Sequence, residues 1–366
     1  MSKIICGIQQ IGIGVTNLYP AWKWYIEAFG VDVRVFEDDT VAELMLPYTG
    51  NQPQKRHAAL ALNIEGGGGF EIWQYSGRTP VEAKEKQQVG DLGICVAKIK
   101  CYDIEKAHKH LSNLETNSIT AITTSPSGQK HFYVEDPRGN TFEVIETRIG
   151  WFKKNPTKPT GATYGAVIGV SDVDKALPVY RDILEFDEIL ADVTGSFDEL
   201  SELNGGSGSF RRVVLTHSKP RRGAFSRMLG DAQIELIQVL DRTPSKLYEG
   251  RYWGDPGFIH LCFDIRRMDE LEKECNAKGF PFTVNSNVKH NQKGSFDMGE
   301  AAGHFSYIED PDGTLIEFVE THRVPIAQKY GISLNLDKRD DEKPLPSWMV
   351  RMLGLKKVKN LGSTIS

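Results

Sequence analysis

Two carboxylates, Glu143 and Glu317, hold the same place in a phrase that occurs twice, EDPRGNTFEVIE from Glu135 to Glu146 and EDPDGTLIEFVE from Glu309 to Glu320. Each copy reads as a strand end, an Asp-Pro-x-Gly turn and a second strand whose central Glu sits between apolar neighbours. A carboxylate turned into an apolar interior loses hydration unless it is paired or coordinates a cation. Upstream, FEIWQYSGRTP from Phe70 answers IELIQVLDRTP from Ile234, placing Glu71 and Glu235 in matching positions ahead of Arg78 and Arg242. Repeated buried carboxylates of this kind are candidate ligands for a divalent ion.

The elements that must position them repeat as well. IGIGVTNLYPAWKWYIEAFGVDV from Ile11 parallels AVIGVSDVDKALPVYRDILEFDEI from Ala166, and LGICVAKIKCYDIEKAHKHL from Leu92 parallels IHLCFDIRRMDELEKECNAKGF from Ile259. Each is an alternating strand, a polar break and an amphipathic helix. The chain therefore reads as four units of one strand, one helix and three strands, each closing on a strand with a central Glu. In the first strand Ile11, Ile13 and Val15 share one face while Gln10, Gly12 and Gly14 share the other. In HLCFDI the same alternation sets Leu261, Phe263 and Ile265 toward the helix and turns His260, Cys262 and Asp264 toward a cavity.

The two halves span 1–150 and 164–325, joined by a Lys- and Pro-containing linker at 151–163 and followed by a segment, 326–366, that departs from the repeat. In that segment Trp348, Met349, Met352 and Leu353 can form one face of a short helix, expected to dock on its own protein or on the second subunit of a homodimer. With 44 Lys and Arg against 49 Asp and Glu, nothing in the charge balance draws the chain to nucleic acid or to an anionic membrane. The five cysteines form no CxxC pair, which argues against a zinc ribbon or a disulfide framework. No basic leader precedes a long apolar run, so the expected location is cytoplasmic and the expected partner a small-molecule substrate. Glycine runs at 66–69 and 205–208 lack the Lys and strand-to-helix context of a phosphate loop.

At these residues the sequence resembles the vicinal oxygen chelate superfamily, which includes glyoxalase I, extradiol dioxygenases and the bleomycin- and fosfomycin-resistance proteins. The resemblance runs from about residue 4 to residue 325. It implies an α+β fold in which βαβββ modules pair into two cupped mixed sheets with helices on the outside. It also implies metal ligands from the first and last strands of paired modules. The first-strand positions are then Gln10, Asp91 or Gly93, Gly165 and His260, and the last-strand positions are Glu71, Glu143, Glu235 and Glu317. If neighbouring modules pair, Glu235, His260 and Glu317 form one site, and Gln10, Glu71, Asp91 and Glu143 offer a second. If the outer modules pair, Gln10 and Glu71 join His260 and Glu317, a combination similar to the Gln, Glu, His, Glu set of some glyoxalases.

One imidazole with two carboxylates suits Zn, Mn, Ni, Co or Fe as a divalent cofactor. The resemblance implies a lyase or isomerase acting on a small oxygenated substrate through an enediolate held by that ion, with Glu235 as the candidate base. Two alternatives stand beside it: an Fe(II)-dependent ring-cleaving or 2-oxo-acid dioxygenase, and a metal-free binding or resistance protein. The dioxygenases require two His and one carboxylate, and Gly165 stands where the first of those His would be. His304 is a candidate substrate-binding residue and proton donor. Counted back from the shared Asp, His131 and His304 fall on opposite faces of their strands. Glu71 and Glu143 can alternatively be structural, paired with Arg or Lys.

Overall fold

A computed structural model describes residues 2–286, 297–298, 301–327, 332–358 and 361. The first module comprises β1 (Ile4–Gly14), α1 (Leu18–Phe29), β2 (Val33–Ala42), β3 (Gln54–Leu62) and β4 (Gly69–Tyr75). The second comprises β5 (Gly93–Cys101), α2 (Ile104–Leu111), the short β6 (Ser118–Ile119) and β7 (Thr123–Thr124), β8 (Lys130–Glu135) and β9 (Thr141–Glu146). The third runs through β10 (Thr160–Gly169), α3 (Val173–Leu177), β11 (Glu188–Gly195), β12 (Phe210–Thr216), α4 (Ser226–Leu229) and β13 (Gln233–Val239). The fourth has β14 (Gly257–Arg266), α5 (Met268–Ala277), β15 (Val284–Asn285), β16 (Asp297–Met298), β17 (Ala301–Glu309) and β18 (Leu315–Thr321). A hairpin of β19 (Arg323–Ala327) and β20 (Ile332–Asn335) and a short helix α6 (Ser347–Met352) follow.

These strands build two large mixed sheets, and the pairing crosses the halves. One sheet has the order β15-β17-β18-β14-β1-β4-β3-β2, the other β11-β12-β13-β10-β5-β9-β8-β6. The outer modules thus share a sheet through the antiparallel pair β1–β14, and the inner modules through β10–β5. Neither half closes a sheet of its own, so the linker at 151–163 is a boundary between repeats and not between sheets.

The helices pack on the outside of each cup, and the two outsides share one core. There Tyr25 and Phe29 of α1 meet Phe70 of the outer-module sheet and Phe142 of the inner-module sheet, with ring centroids 5.0–6.1 Å apart. Large aromatic side chains supply most of the apolar area in such a core.

The repeated phrase explains how the two modules within each half hold together although their strands do not pair with each other. Its Asp accepts a hydrogen bond from a Tyr on the helix of the preceding module: Tyr25 to Asp136 at 2.9 Å, and Tyr180 to Asp310 at 2.8 Å. Three residues after each cup-facing Glu, strand parity turns a Gln or Glu to the helix side, where it caps that module's helix. Gln74 accepts from the Leu18 N–H, Glu146 from Ile104, Gln238 from Val173, and Glu320 from Arg267 and Met268. These acceptors satisfy first-turn donors that the helix cannot pair internally.

The C-terminal segment docks on its own chain. Leu336, Leu345 and Val350 join Phe225, Met228 and Leu229 against Leu60 and Leu62, at one end of the outer-module cup. No helix among the described residues is long and apolar enough to cross a membrane.

Removing either Tyr hydroxyl leaves a buried Asp short of a donor, and Tyr25→Phe and Tyr180→Phe should each cost about 1.5–3 kcal/mol. Urea denaturation reads this directly; an unchanged midpoint would show the Tyr–Asp pairs to be incidental.

Candidate metal centre

Pairing of the outer modules brings Gln10 of β1, Glu71 of β4, His260 of β14 and Glu317 of β18 onto one concave surface. The register dictates it: Gly12 lies opposite both Glu71 and His260, and Cys262 lies opposite both Gln10 and Glu317. The His260 Nε2 is 3.1 Å from one oxygen of Glu317 and 3.3 Å from one of Glu71. The Gln10 amide donates to the same Glu317 oxygen at 3.4 Å. All three groups are buried, His260 fully, Glu317 at 6% and Glu71 at 9% exposure. Gly12 is required for this arrangement, because a Cβ there would lie 2.5 Å from the His260 ring.

The residues fit a cation. The ligand atoms of Glu71, His260 and Glu317 all lie within 4.8 Å of one another. Although Nε2 is within ion-pair reach of both carboxylates, it is hydrogen-bonded to neither, and the Gln10 carbonyl oxygen is buried without a donor. Glu71, His260 and Glu317 would together hold such an ion. Burial alone would lower the His260 pKa, but Glu317 and Glu71 outweigh it and push it up to about 9. Against the opposing effect of burial, His260 and hydrogen bonds from Tyr307 and the Cys262 thiol hold Glu317 below the usual carboxylate range. Trp253 stacks nearly parallel to the His260 ring at 6.0 Å, Tyr307 stands edge-on at 5.6 Å, and Trp73 contacts Trp253 at 4.2 Å. This aromatic collar keeps water from the carboxylates and strengthens every charge interaction inside it.

Both halves of the chain carry matches to one family model description, the glyoxalase/bleomycin resistance protein/dioxygenase superfamily, over residues 7–144 and 166–296. The chain belongs to this superfamily. Among solved structures, superfamily likeness is seen with two point mutants of glyoxalase I from Zea mays, both at TM-score 0.50. One is 14% identical and covers 87% of this chain and 92% of that chain; the other is 13% identical and covers 87% and 94%. A Mn(II)-bound glyoxalase from Novosphingobium aromaticivorans aligns at 14% identity over 95% of this chain and 90% of its own, with a TM-score of 0.27. No curated protein matches the chain by sequence. At these identities the likeness to the two Zea mays structures speaks for the fold alone.

The inner-module sheet presents the same surface with a different solution. Glu143 and Glu235 occupy the positions of Glu317 and Glu71, but Val96 stands where His260 does and Gly165 where Gln10 does. Between the two carboxylates lies the ammonium of Lys98, 2.7 Å from Glu143 and 2.9 Å from Glu235. Arg212 pairs with Glu235 at 2.6 Å and with Glu199 at 2.6 Å, while His131 contacts Glu143 at 2.7 Å. Burial pulls Lys98 toward neutrality, but the two carboxylates more than reverse this and raise its pKa.

Several sequence expectations are therefore corrected. Glu235, expected as ligand and base beside His260, lies in the other sheet and is neutralised by Arg212 and Lys98. Glu143 is likewise an ion-pair partner in that sheet. Asp91 precedes β5 and accepts from Arg242 and from the Gln88 and Ser245 backbone N–H groups. Its counterpart is Asp255, which clamps Arg78 in the same way at 2.7 and 2.8 Å, and not His260. His304 pairs opposite Glu320 on the helix-facing side of β17, while its neighbour Phe305 faces the cup with Tyr307. Of the pair His131 and His304, His131 is the one that faces a cup. Lys98, Tyr307 and Trp253 escaped sequence reasoning; a Lys inside the apolar run ICVAKIKC was the readable sign of a buried cation.

Removing the Lys98 charge takes from two buried carboxylates the cation they share, and Lys98→Met should cost about 3–5 kcal/mol by chemical denaturation. Burial tends to raise Glu143, yet Lys98 and His131 hold it well below its ordinary 4.5. Its stabilisation is therefore complete above about pH 4.5 and lost as pH falls through the lower folded-state value. Glu143→Gln should flatten the acid limb of stability against pH; an unaltered limb would place acid sensitivity elsewhere.

Proposed function

We propose that the chain is a divalent-metal-dependent lyase or isomerase of the glyoxalase type, acting on a small oxygenated substrate. The observation that carries this reading is the convergence of Glu71, His260 and Glu317, with Gln10, from the first and last modules. These four residues would hold the ion. When bound, such an ion supplies Lewis-acid stabilisation of negative charge growing on adjacent substrate oxygens.

The residues divide the remaining work unequally. Glu317 is fixed by Gln10, His260, Tyr307 and Cys262, so it serves as an anchored ligand. Glu71 has one charged contact, to His260, and is the more exposed of the two carboxylates. It is the carboxylate free to take a proton from a carbon beside a substrate carbonyl and return it to the neighbouring atom. The collar of Trp73, Trp253 and Tyr307 excludes water from that transfer. A cleft of about 490 Å³ reaches the collar at Trp253 and has room for a molecule of modest size. The Fe(II) dioxygenase reading is disfavoured because, among the described residues, His260 is the one imidazole that faces this cup with the two carboxylates.

Glu71→Gln should retain metal and lower kcat about 10²–10⁴-fold, whereas His260→Ala and Glu317→Ala should lose the metal. Elemental analysis and turnover of a 2-oxoaldehyde adduct test both; metal content unchanged in all three variants contradicts the assignment. Because His260 holds its proton up to about pH 9 in the metal-free chain, binding must displace that proton. Metal affinity should rise about tenfold per pH unit between about pH 6 and pH 8. A pH-independent dissociation constant measured by calorimetry would exclude His260 as a ligand.

A further inference from the structure

We propose a second metal site on the helix-facing side of the outer-module sheet, formed by His304, Glu320 and His322 and suited to a first-row divalent ion such as Zn(II). Their ligand atoms all lie within 4.8 Å of one another. The sheet register sets His304 of β17 directly opposite Glu320 of β18, and His322 follows two residues later. Two imidazoles and one carboxylate leave positions for water or for a further ligand.

Outer contacts orient each ring. Asp337 lies 2.8 Å from the Nδ1 of His322, and the Asn285 carbonyl oxygen lies 2.9 Å from the Nε2 of His304. For His322 the acceptor at Nδ1 fixes the proton there and leaves Nε2 with its lone pair, which is how ligating histidines are held. Glu320 is fixed by the Arg267 and Met268 N–H groups, one on each oxygen, and each oxygen retains acceptor capacity. Arg266 approaches Glu320 at 3.7 Å, but Asp337 and Asp341 share its charge at 3.1 and 3.2 Å. His304 and Glu320 are buried, and His322 reaches solvent with 36% of its side chain exposed, giving an ion a way in. The repeat supplies a control. In the inner-module sheet the matching carboxylate, Glu146, has Lys130 and Arg148 at the positions of His304 and His322, residue types that repel a cation.

The test is a calorimetric titration of Zn(II) into the full chain carrying His260→Ala and Glu317→Ala, which disables the cup. One equivalent should remain. Adding His304→Asn and His322→Asn should weaken it at least about 100-fold, and Asp337→Asn alone about tenfold. A folded cup-disabled chain that binds no Zn(II), or one whose binding survives loss of both imidazoles, overturns the site. If the cup-disabled chain does not fold, the comparison is made on the intact cup: two equivalents should fall to one with His304→Asn and His322→Asn, and an unchanged stoichiometry overturns the proposal.

Discussion

Strand alternation forces one closing-strand carboxylate per module into an apolar cup, and the structure is organised around neutralising these four. Glu71, Glu143, Glu235 and Glu317 stand at equivalent positions, and none can retain its charge there without a cation. The inner-module sheet supplies the cations covalently, as Lys98 and Arg212. The outer-module sheet supplies one imidazole for two carboxylates, with Gln10 alongside. One cup is closed by its own ion pairs, and the other keeps a deficit of positive charge that a divalent ion would fill. The duplication thus separates a structural copy from a copy suited to chemistry.

The pairing of first with last modules has consequences for the whole chain. Sheet hydrogen bonds tie Ile4 of β1 to Arg266 of β14, so the candidate centre exists only when both halves are folded together. The two modules within each half are joined through helices instead, by the Tyr25–Asp136 and Tyr180–Asp310 bonds and by the shared aromatic core. Each copy of the repeated phrase does three jobs along one strand pair. Its Asp fastens the preceding helix, its central Glu faces the cup, and its last Glu caps its own module's helix. The C-terminal segment then seals one end of the outer-module cup, near Leu60, which lies directly opposite Glu71.

Much of this was legible in the residues. The four modules follow from the repeated stretches, the cup-facing carboxylates and the turn of His260, Cys262 and Asp264 toward a cavity follow from period-two alternation, and the structure has both. Which modules pair was not legible, because first strands of the same alternating pattern can lie beside one another in either arrangement. That ambiguity puts Glu235 beside His260 in one arrangement and Gln10 with Glu71 beside it in the other. Asp91 misled because the loop Asp that clamps the RTP arginine lies close in sequence to the strand position sought; matching Gly93 to Gly257 identifies Val96 instead. For His304 the parity count was right in separating it from His131, but the face was assigned the wrong way, since His131 is the one that reaches its Glu.

The most direct measurement is anomalous diffraction from crystals of the full chain grown with Mn(II) or Zn(II). The account predicts an ion bridging Glu71, His260 and Glu317 within about 2.3 Å of a ligand atom of each, and none between Glu143 and Glu235, where Lys98 lies. An absence of metal at the first position, or an ion at the second with Lys98 displaced, would contradict it.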